Sequence, residues 1–367
     1  MTSPQKKPRI LICPLDWGLG HATRCIPLIR ELKAQGADII IAAEGQRLAL
    51  LCAEFPDAEW VNFPGYRIKY GIKSGAAWQI VFKSPAIAYK IWQEHFLIKK
   101  VISKTRAEIL ISDNRYGLWS KQLKTIFITH QMNIKAPSFL KFTEPWLRIL
   151  TRCIIRKFDV CWIPDNEGNN NLSGQLSHGF PIPKNSRYIG LLSRFDVPAV
   201  EHPQKLYDVV ALVSGPEPQR SLFEEKLKAQ LPEIKLPCLL VRGLPGNSSI
   251  VQLGSNIDSA DHLPASQLQA LLARKPIIIS RPGYSTLMDI RFTGNKAILI
   301  PTPGQTEQEY LAEYHAITPG FFIMNQKEME IKEAFYALQK SEPPSIENNH
   351  TTYKEAVAEI LRNYIST

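Results

Sequence analysis

Four loops in this chain combine glycines, hydroxyls, acids and bases at the ends of apolar runs. The first is Asp16-Trp17-Gly18-Leu19-Gly20-His21-Ala22-Thr23-Arg24. Its two glycines let the backbone pass close to a ligand. A helix beginning at His21 brings free N–H groups and a partial positive charge to the same point. The helix start disfavours the imidazolium, and a neutral imidazole accepts a proton. A dinucleotide fingerprint needs a third glycine where Thr23 stands. The glycine pair by itself fits a tight turn with a half-buried histidine equally well.

The other three lie in the back half. Ser214-Gly215-Pro216-Glu217 follows the run DVVALV. It is a strand-end glycine loop suited to a phosphate, with Arg220 near enough to pair with it. Ser280-Arg281-Pro282-Gly283-Tyr284-Ser285-Thr286 follows PIIIS and opens a helix. Gly283, Ser285 and Thr286 there make an anion site at a helix N-terminus. Asp289, four residues after Ser285, shares its face and suits two sugar hydroxyls. Pro301-Thr302-Pro303-Gly304-Gln305-Thr306-Glu307-Gln308 follows KAILI. Glu307 and Gln308 side by side can bond several hydroxyls of a hexose. Each of these also fits a plain capped helix or βα loop.

The elements that must position these loops alternate. Arg9–Pro14 reads as a strand, and Ile26, Ile29 and Leu32 mark a helix from His21 to Gln35. Gly36 ends that helix and Asp38–Ala43 is the next strand. Short β-rich runs follow at 109–112, 125–129 and 160–163, with helices expected over 84–104 and 142–157. The run 194–205, with two prolines and no periodicity, reads as a linker. A second alternation follows. Strands are expected at 208–213, 237–242, 249–253, 276–280 and 296–300. Helices are expected at 218–230, 265–273, 285–292, 306–315, 327–339 and 352–364. The expected class is α/β: two Rossmann-like, doubly wound domains, residues 1–195 and 206–340, facing a central cleft, with a C-terminal helix over 351–367 packing back on the first domain.

The chain has 367 residues, 44% of them hydrophobic, enough for two cores and too many for global disorder. No apolar run approaches the length of a membrane span. The six cysteines form no C-x-x-C pair and no zinc-spaced cluster, which fits a reducing compartment. Residues 1–195 hold 28 Lys+Arg against 14 Asp+Glu, and the rest 16 against 20. A basic front half suits an anionic partner or simply a soluble basic surface.

The four loops in this order resemble the GT-B glycosyltransferases. They look most like the branch of the bacterial peptidoglycan UDP-N-acetylglucosamine transferase and the plant diacylglycerol galactosyltransferases. The run IISRPGYSTLMDI followed by ILIPTP and EQEYLA carries most of the likeness, and G-L-G-H is a second match. The front loop departs from the family's more glycine-rich G-G-T-G-G-H, and the sugar-binding dipeptide differs too. The resemblance implies that Asp289 binds the donor ribose. Arg281, Gly283, Tyr284, Ser285 and Thr286 would line the donor phosphates, with Ser214, Gly215 and Arg220. Glu307 and Gln308 would hold the sugar, and the backbone at His262-Leu263 would read the base. Gly18, Gly20, His21 and Arg24 would face phosphate and acceptor.

The implied reaction moves a hexose or N-acetylhexosamine from a nucleotide sugar, such as a UDP-sugar, to an acceptor hydroxyl with inversion. The chain has no D-x-D motif, so neither metal nor cofactor is expected. His21 is the candidate base, with Asp113 in ILISDNRYG to orient it. His130 is the rival, less favoured because no glycines clear space around it. The acceptor is expected to be lipid-linked or a glycan, in building cell-envelope glycoconjugates, and nucleic acid is not an expected partner. Basic residues among Trp92, Phe96, Leu97, Trp146 and Leu150 suit either a peripheral contact with an anionic membrane, at its cytoplasmic face, or core-facing helices with a solvated basic side. A sugar-nucleotide epimerase of the same architecture and a non-catalytic nucleotide-sugar-binding protein are the competing functions.

Overall fold

The computed structural model describes residues 7–16, 18–65, 84–196, 205–244, 248–346 and 351–365. Trp17, Lys83 and the 197–204 part of the expected linker lie outside them.

β1 (Arg9–Pro14) is an interior strand of the first sheet. Ile10 to Cys13 are fully buried, as a parallel strand covered on both faces requires. On one side lie β2 (Asp38–Ala43) and β3 (Glu59–Asn62). On the other lie β4 (Ile109–Asp113), β5 (Lys124–Ile128), β6 (Val160–Ile163) and β7 (Ser186–Tyr188). All the pairings are parallel. The helices between them are α1 (Gly20–Ala34), α2 (Gly45–Glu54), α3 (Ser84–Thr105) and α4 (Glu144–Ile155). α1 stops where expected. Gly36 takes φ +89°, its N–H bonds Lys33 O, and the Ala37 N–H reaches back to Leu32 O, closing the last turn. β1 meets β4 with Pro14 opposite Asp113, so the G-L-G-H loop and Asp113 leave adjacent strand ends.

The second sheet is centred on β8 (Val209–Leu212). β9 (Cys238–Val241), β11 (Ile257–Ala260) and β10 (Val251–Gln252) lie on one side. β12 (Ile277–Ser280), β13 (Ala297–Leu299) and β14 (Phe321–Ile323) lie on the other. The edge strand β10 pairs antiparallel and the rest parallel. Helices α5 (Gln219–Gln230), α6 (Ala265–Leu272), α7 (Tyr284–Thr293), α8 (Thr306–Tyr314) and α9 (Ile331–Gln339) cover it. Both halves are doubly wound α/β sheets, the class the sequence implies. In each, strand order reverses at a central strand, which is where such sheets hold ligands. α10 (Thr351–Ile365) packs on α1, with Tyr353, Val357 and Leu361 in the same buried cluster as Cys25, Ile29 and Leu32.

Several expected elements differ. The helix expected over 142–157 starts at Glu144, after a 3-10 turn over Ser138–Thr143; Pro145 is tolerated there because the first helical N–H groups lack partners anyway. The helix expected over 327–339 begins at Ile331, and the strand expected at 249–253 is only Val251–Gln252. Strands β3, β7, β11 and β14 and helix α2 were not anticipated. β11 reads as polar, yet it is wholly buried because Lys205 and Tyr207 bond its Asp258 at 2.6 and 2.7 Å.

Candidate functional site

The two sheets bring their loop ends together. Ser285 Oγ, in the first turn of α7, donates to Gly20 O at 2.8 Å. A Cβ on Gly20 would sit 3.2 Å from that same Oγ, so the approach favours a glycine. Gly18 takes φ +74° in open space. His21 then enters α1 beside the end of β4. Its Nδ1 is 3.1 Å from Asp113 Oδ2, the pairing expected from the sequence.

Arg24, one turn further along α1, shares the face of His21. Its Nε donates to Asp113 Oδ1 and Oδ2 at 2.8 and 3.0 Å. Its Nη2 lies 2.9 Å from His21 Nδ1 and its Nη1 3.0 Å from His130 Nδ1. Arg24 was expected to face phosphate or acceptor. It is instead buried as the partner of Asp113, because the one-turn spacing from His21 aims it at the same strand end. His130 stacks on the Tyr284 ring at 4.0 Å, and its Nε2 is 2.8 Å from Glu307 Oε1 in the first turn of α8. Tyr284 OH donates to Pro164 O at 2.8 Å, and Thr306 Oγ1 to Lys135 O at 2.9 Å.

The charges are set by this packing. Burial, and then the Arg24 guanidinium, hold His21 below its ordinary range, with Asp113 opposing. Burial works to raise the carboxyls of Asp113 and Glu307. Arg24 and His21 outweigh it at Asp113, and His130 at Glu307, so both lie below the ordinary value.

The donor-side residues divide. Gly283 caps α7, and the backbone N–H groups of Tyr284, Ser285 and Thr286 form its free first turn. The Ser214–Gly215 loop leaves β8 next to β12, with Gly215 at φ +113° and open space where a Cβ would stand. Asp289 accepts from Ser193 Oγ at 2.7 Å and Arg194 Nε at 3.0 Å, and burial raises its carboxyl. Arg194 also acts on the half-buried His262, held low first by burial and then by that cation. Ser193 and Arg194 thus join the site. They lie at the edge of the expected linker, where no local pattern marks them. Leu263 is buried, leaving its backbone for recognition.

Three expected donor residues have partners within the protein. Arg220 donates to Glu217 and Glu224 at 2.6 Å, to Ser221 Oγ and to Arg242 O, so its charge is already met. Arg281 is turned inward over the Phe223 ring, bonding Ile300 O and Pro301 O; burial pushes it down to about 9. Gln308 folds back, its Oε1 accepting from the Thr302 N–H at 2.8 Å. Among the described residues no group of three or more His, Cys, Asp or Glu is arranged to hold a metal ion. No described helix is long and apolar enough to cross a membrane.

Residues 248–364 match the model of the glycosyltransferase family 28 C-terminal domain. No curated protein matches the chain. The fold is similar to the glycosyltransferase SnogD from Streptomyces nogalater, at TM-score 0.57 and 14% identity over 98% of this chain and all of that one. LpCGTa, solved in complex with UDP, gives 0.55 and 14% over 98% and 94%. MurG from Acinetobacter baumannii gives 0.50 and 13% over 98% and 99%. The family 28 domain in the back half and this two-sheet fold over nearly the whole length make the chain a glycosyltransferase of the GT-B fold.

Proposed function

We propose that the chain moves a hexose or N-acetylhexosamine from a nucleotide sugar, a UDP-sugar in the first instance, to an acceptor hydroxyl, with inversion and without a metal. The observation that carries this is the His21–Asp113 pair held against the free first turn of α7 by the Ser285–Gly20 bond. In the tautomer whose Nδ1–H is directed at Asp113, with Arg24 Nη2 donating to Asp113 Oδ1 rather than to the ring, Nε2 keeps its lone pair for the acceptor proton. The acceptor oxygen attacks the anomeric carbon as it loses that proton. The bond from that carbon to the diphosphate oxygen breaks, and the nucleoside diphosphate leaves with the electron pair. The N–H groups at the start of α7 and the Ser214–Gly215 loop meet the leaving charge. A neighbour of the same fold was solved with UDP, which supports uridine. Asp289, with Ser193 and Arg194 around it, is the candidate ribose site.

The acceptor side supports a lipid-linked acceptor taken from the cytoplasmic face of an anionic membrane. Trp92, Phe142 and Trp146 are 57%, 72% and 73% exposed, and Tyr89, Phe96, Ile149 and Leu150 are exposed beside them in sequence. They are interleaved with Lys90, Lys99, Lys100, Lys141 and Arg148. Trp92, Phe96 and Leu97 of α3 and Trp146 and Leu150 of α4 are thus outside, while Ile98, Ile102 and Ile155 of the same helices face the core. A basic amphipathic face of this kind suits an anionic bilayer.

A thermal-shift panel of nucleotide sugars should show one donor raising the melting temperature by mass action. His21→Ala should then lower kcat by roughly 10²- to 10⁴-fold with UDP affinity nearly intact. Normal turnover in that variant would hand the base to another group.

A further inference from the structure

Glu307 belongs to the second half but reaches a histidine of the first. Its Oε1 is 2.8 Å from His130 Nε2, and Gln131 Nε2 donates to its other oxygen. An arginine can only donate, so His130 Nδ1 accepts from Arg24 and the single ring proton sits on Nε2, toward Glu307. A second proton on His130 would face a guanidinium N–H. With that proton placement His130 bridges Glu307 and Arg24.

The charges along this chain then add up in a particular way. Glu307 and Asp113 are negative and Arg24 positive. The group carries one net negative charge while His21 is neutral, and none once His21 has gained a proton. We propose that Glu307 is a positioning residue for the transfer step: supplied across the cleft by the second half, it provides the negative charge that balances His21 when the imidazole takes the acceptor's proton. The proposal rests on the transfer reaction and on His21 as its base. Glu307 keeps its charge throughout and takes no proton itself. Without it, His21 would be left with Arg24 and Asp113, whose charges cancel. The base is then strongest when the two halves are together.

The titratable groups around this cluster include Arg24 and Cys25 from α1, Asp113 from β4, Tyr116 after it, His130 after β5, Asp165 after β6, Tyr284 from α7 and Glu307 from α8. Burial raises Cys25 and Tyr284, so both stay neutral. Arg24, Asp113 and His130 act on His21 directly, and Glu307 is coupled to it in turn. In a buried setting such charges act with little screening.

Glu307→Gln removes the charge and keeps the shape. Isotope-labelled histidine NMR of the full chain, with His21→Gln to assign the resonance, reads the titration of His21 without any substrate. The midpoint should move to lower pH in E307Q, since a neighbouring anion favours the imidazolium. In the transfer assay the acidic limb of kcat/KM should move the same way, with kcat down about 3- to 10-fold. Glu307→Asp, which keeps the charge, should restore most of the limb. An unmoved His21 midpoint overturns the proposal, even if the KM for donor rises, because Glu307 would then only hold the sugar. A moved midpoint in a protein that transfers no sugar from any donor supports the electrostatic link and sinks the transfer reaction instead.

Discussion

Arg24→Met would remove the cation that holds the acceptor-side site together. Arg24 is 2% exposed, and its Nε and Nη2 both donate to Asp113, which is fully buried. Methionine fills much of the space, so the main loss is the partner of a buried carboxylate. Breaking one side of a buried pair costs about 3–5 kcal/mol. His21 stays 3.1 Å from Asp113 as a second contact, which puts the expected loss near the lower end, about 3 kcal/mol. Urea denaturation should read this as a lower midpoint at unchanged slope. The pH dependence should also reverse. In the native protein the Asp113 carboxyl lies below its ordinary value, so its contribution is present above the unfolded carboxylate range and is lost as pH falls through the folded value. In the variant burial acts with no guanidinium to oppose it. The folded value then lies above the unfolded one, and stability is present in acid and lost as pH rises through it. Adding Asp113→Leu should recover much of the loss, since no unpaired charge remains. A loss under about 1 kcal/mol in the single variant would refute the buried-pair account. So would a double variant whose loss is the simple sum of the two single ones.

Asp289→Ala should weaken UDP binding by about 1.5–3 kcal/mol, the range for hydrogen bonds to a charged group; unchanged affinity by calorimetry would remove Asp289 from the ribose site. Activity should survive EDTA, and loss restored by magnesium or manganese would contradict transfer without a metal. Binding to anionic vesicles should fall steeply with salt and drop in Trp146→Ala, and vesicles that sediment without the protein at low salt would leave the aromatic face unexplained.

The local units of this fold are legible in sequence where one strand, one glycine and one helix suffice. Arg9–Pro14, the G-L-G-H loop and Gly36 are such a unit. The His21–Asp113 pair was legible too, because His21 opens the helix after β1 and Asp113 ends β4, and a doubly wound sheet sets those two strands side by side. Long-range partners were not. Arg281 stacks on Phe223 and bonds backbone carbonyls, and carbonyls leave no mark in a sequence. Asp289 meets Ser193 and Arg194 from a distant stretch with no periodicity of its own. Arg220 is different. Glu217 and Glu224 stand three residues before it and four after, which is the spacing of helical ion pairs, so its internal use could have been read.

The chain passes between the two halves twice. It leaves the first after β7 and enters the second at β8. It leaves the second after α9, whose Ile331, Phe335 and Leu338 pack under that sheet, and ends in α10 against α1. A body tied at one point can swivel about any axis. Tied at two, it turns most easily about the line through both. The second crossing therefore restricts how far the halves can turn about one another. The fifteen residues of α10, remote from every reacting atom, thus help hold the halves in the arrangement that seats Glu307 against His130.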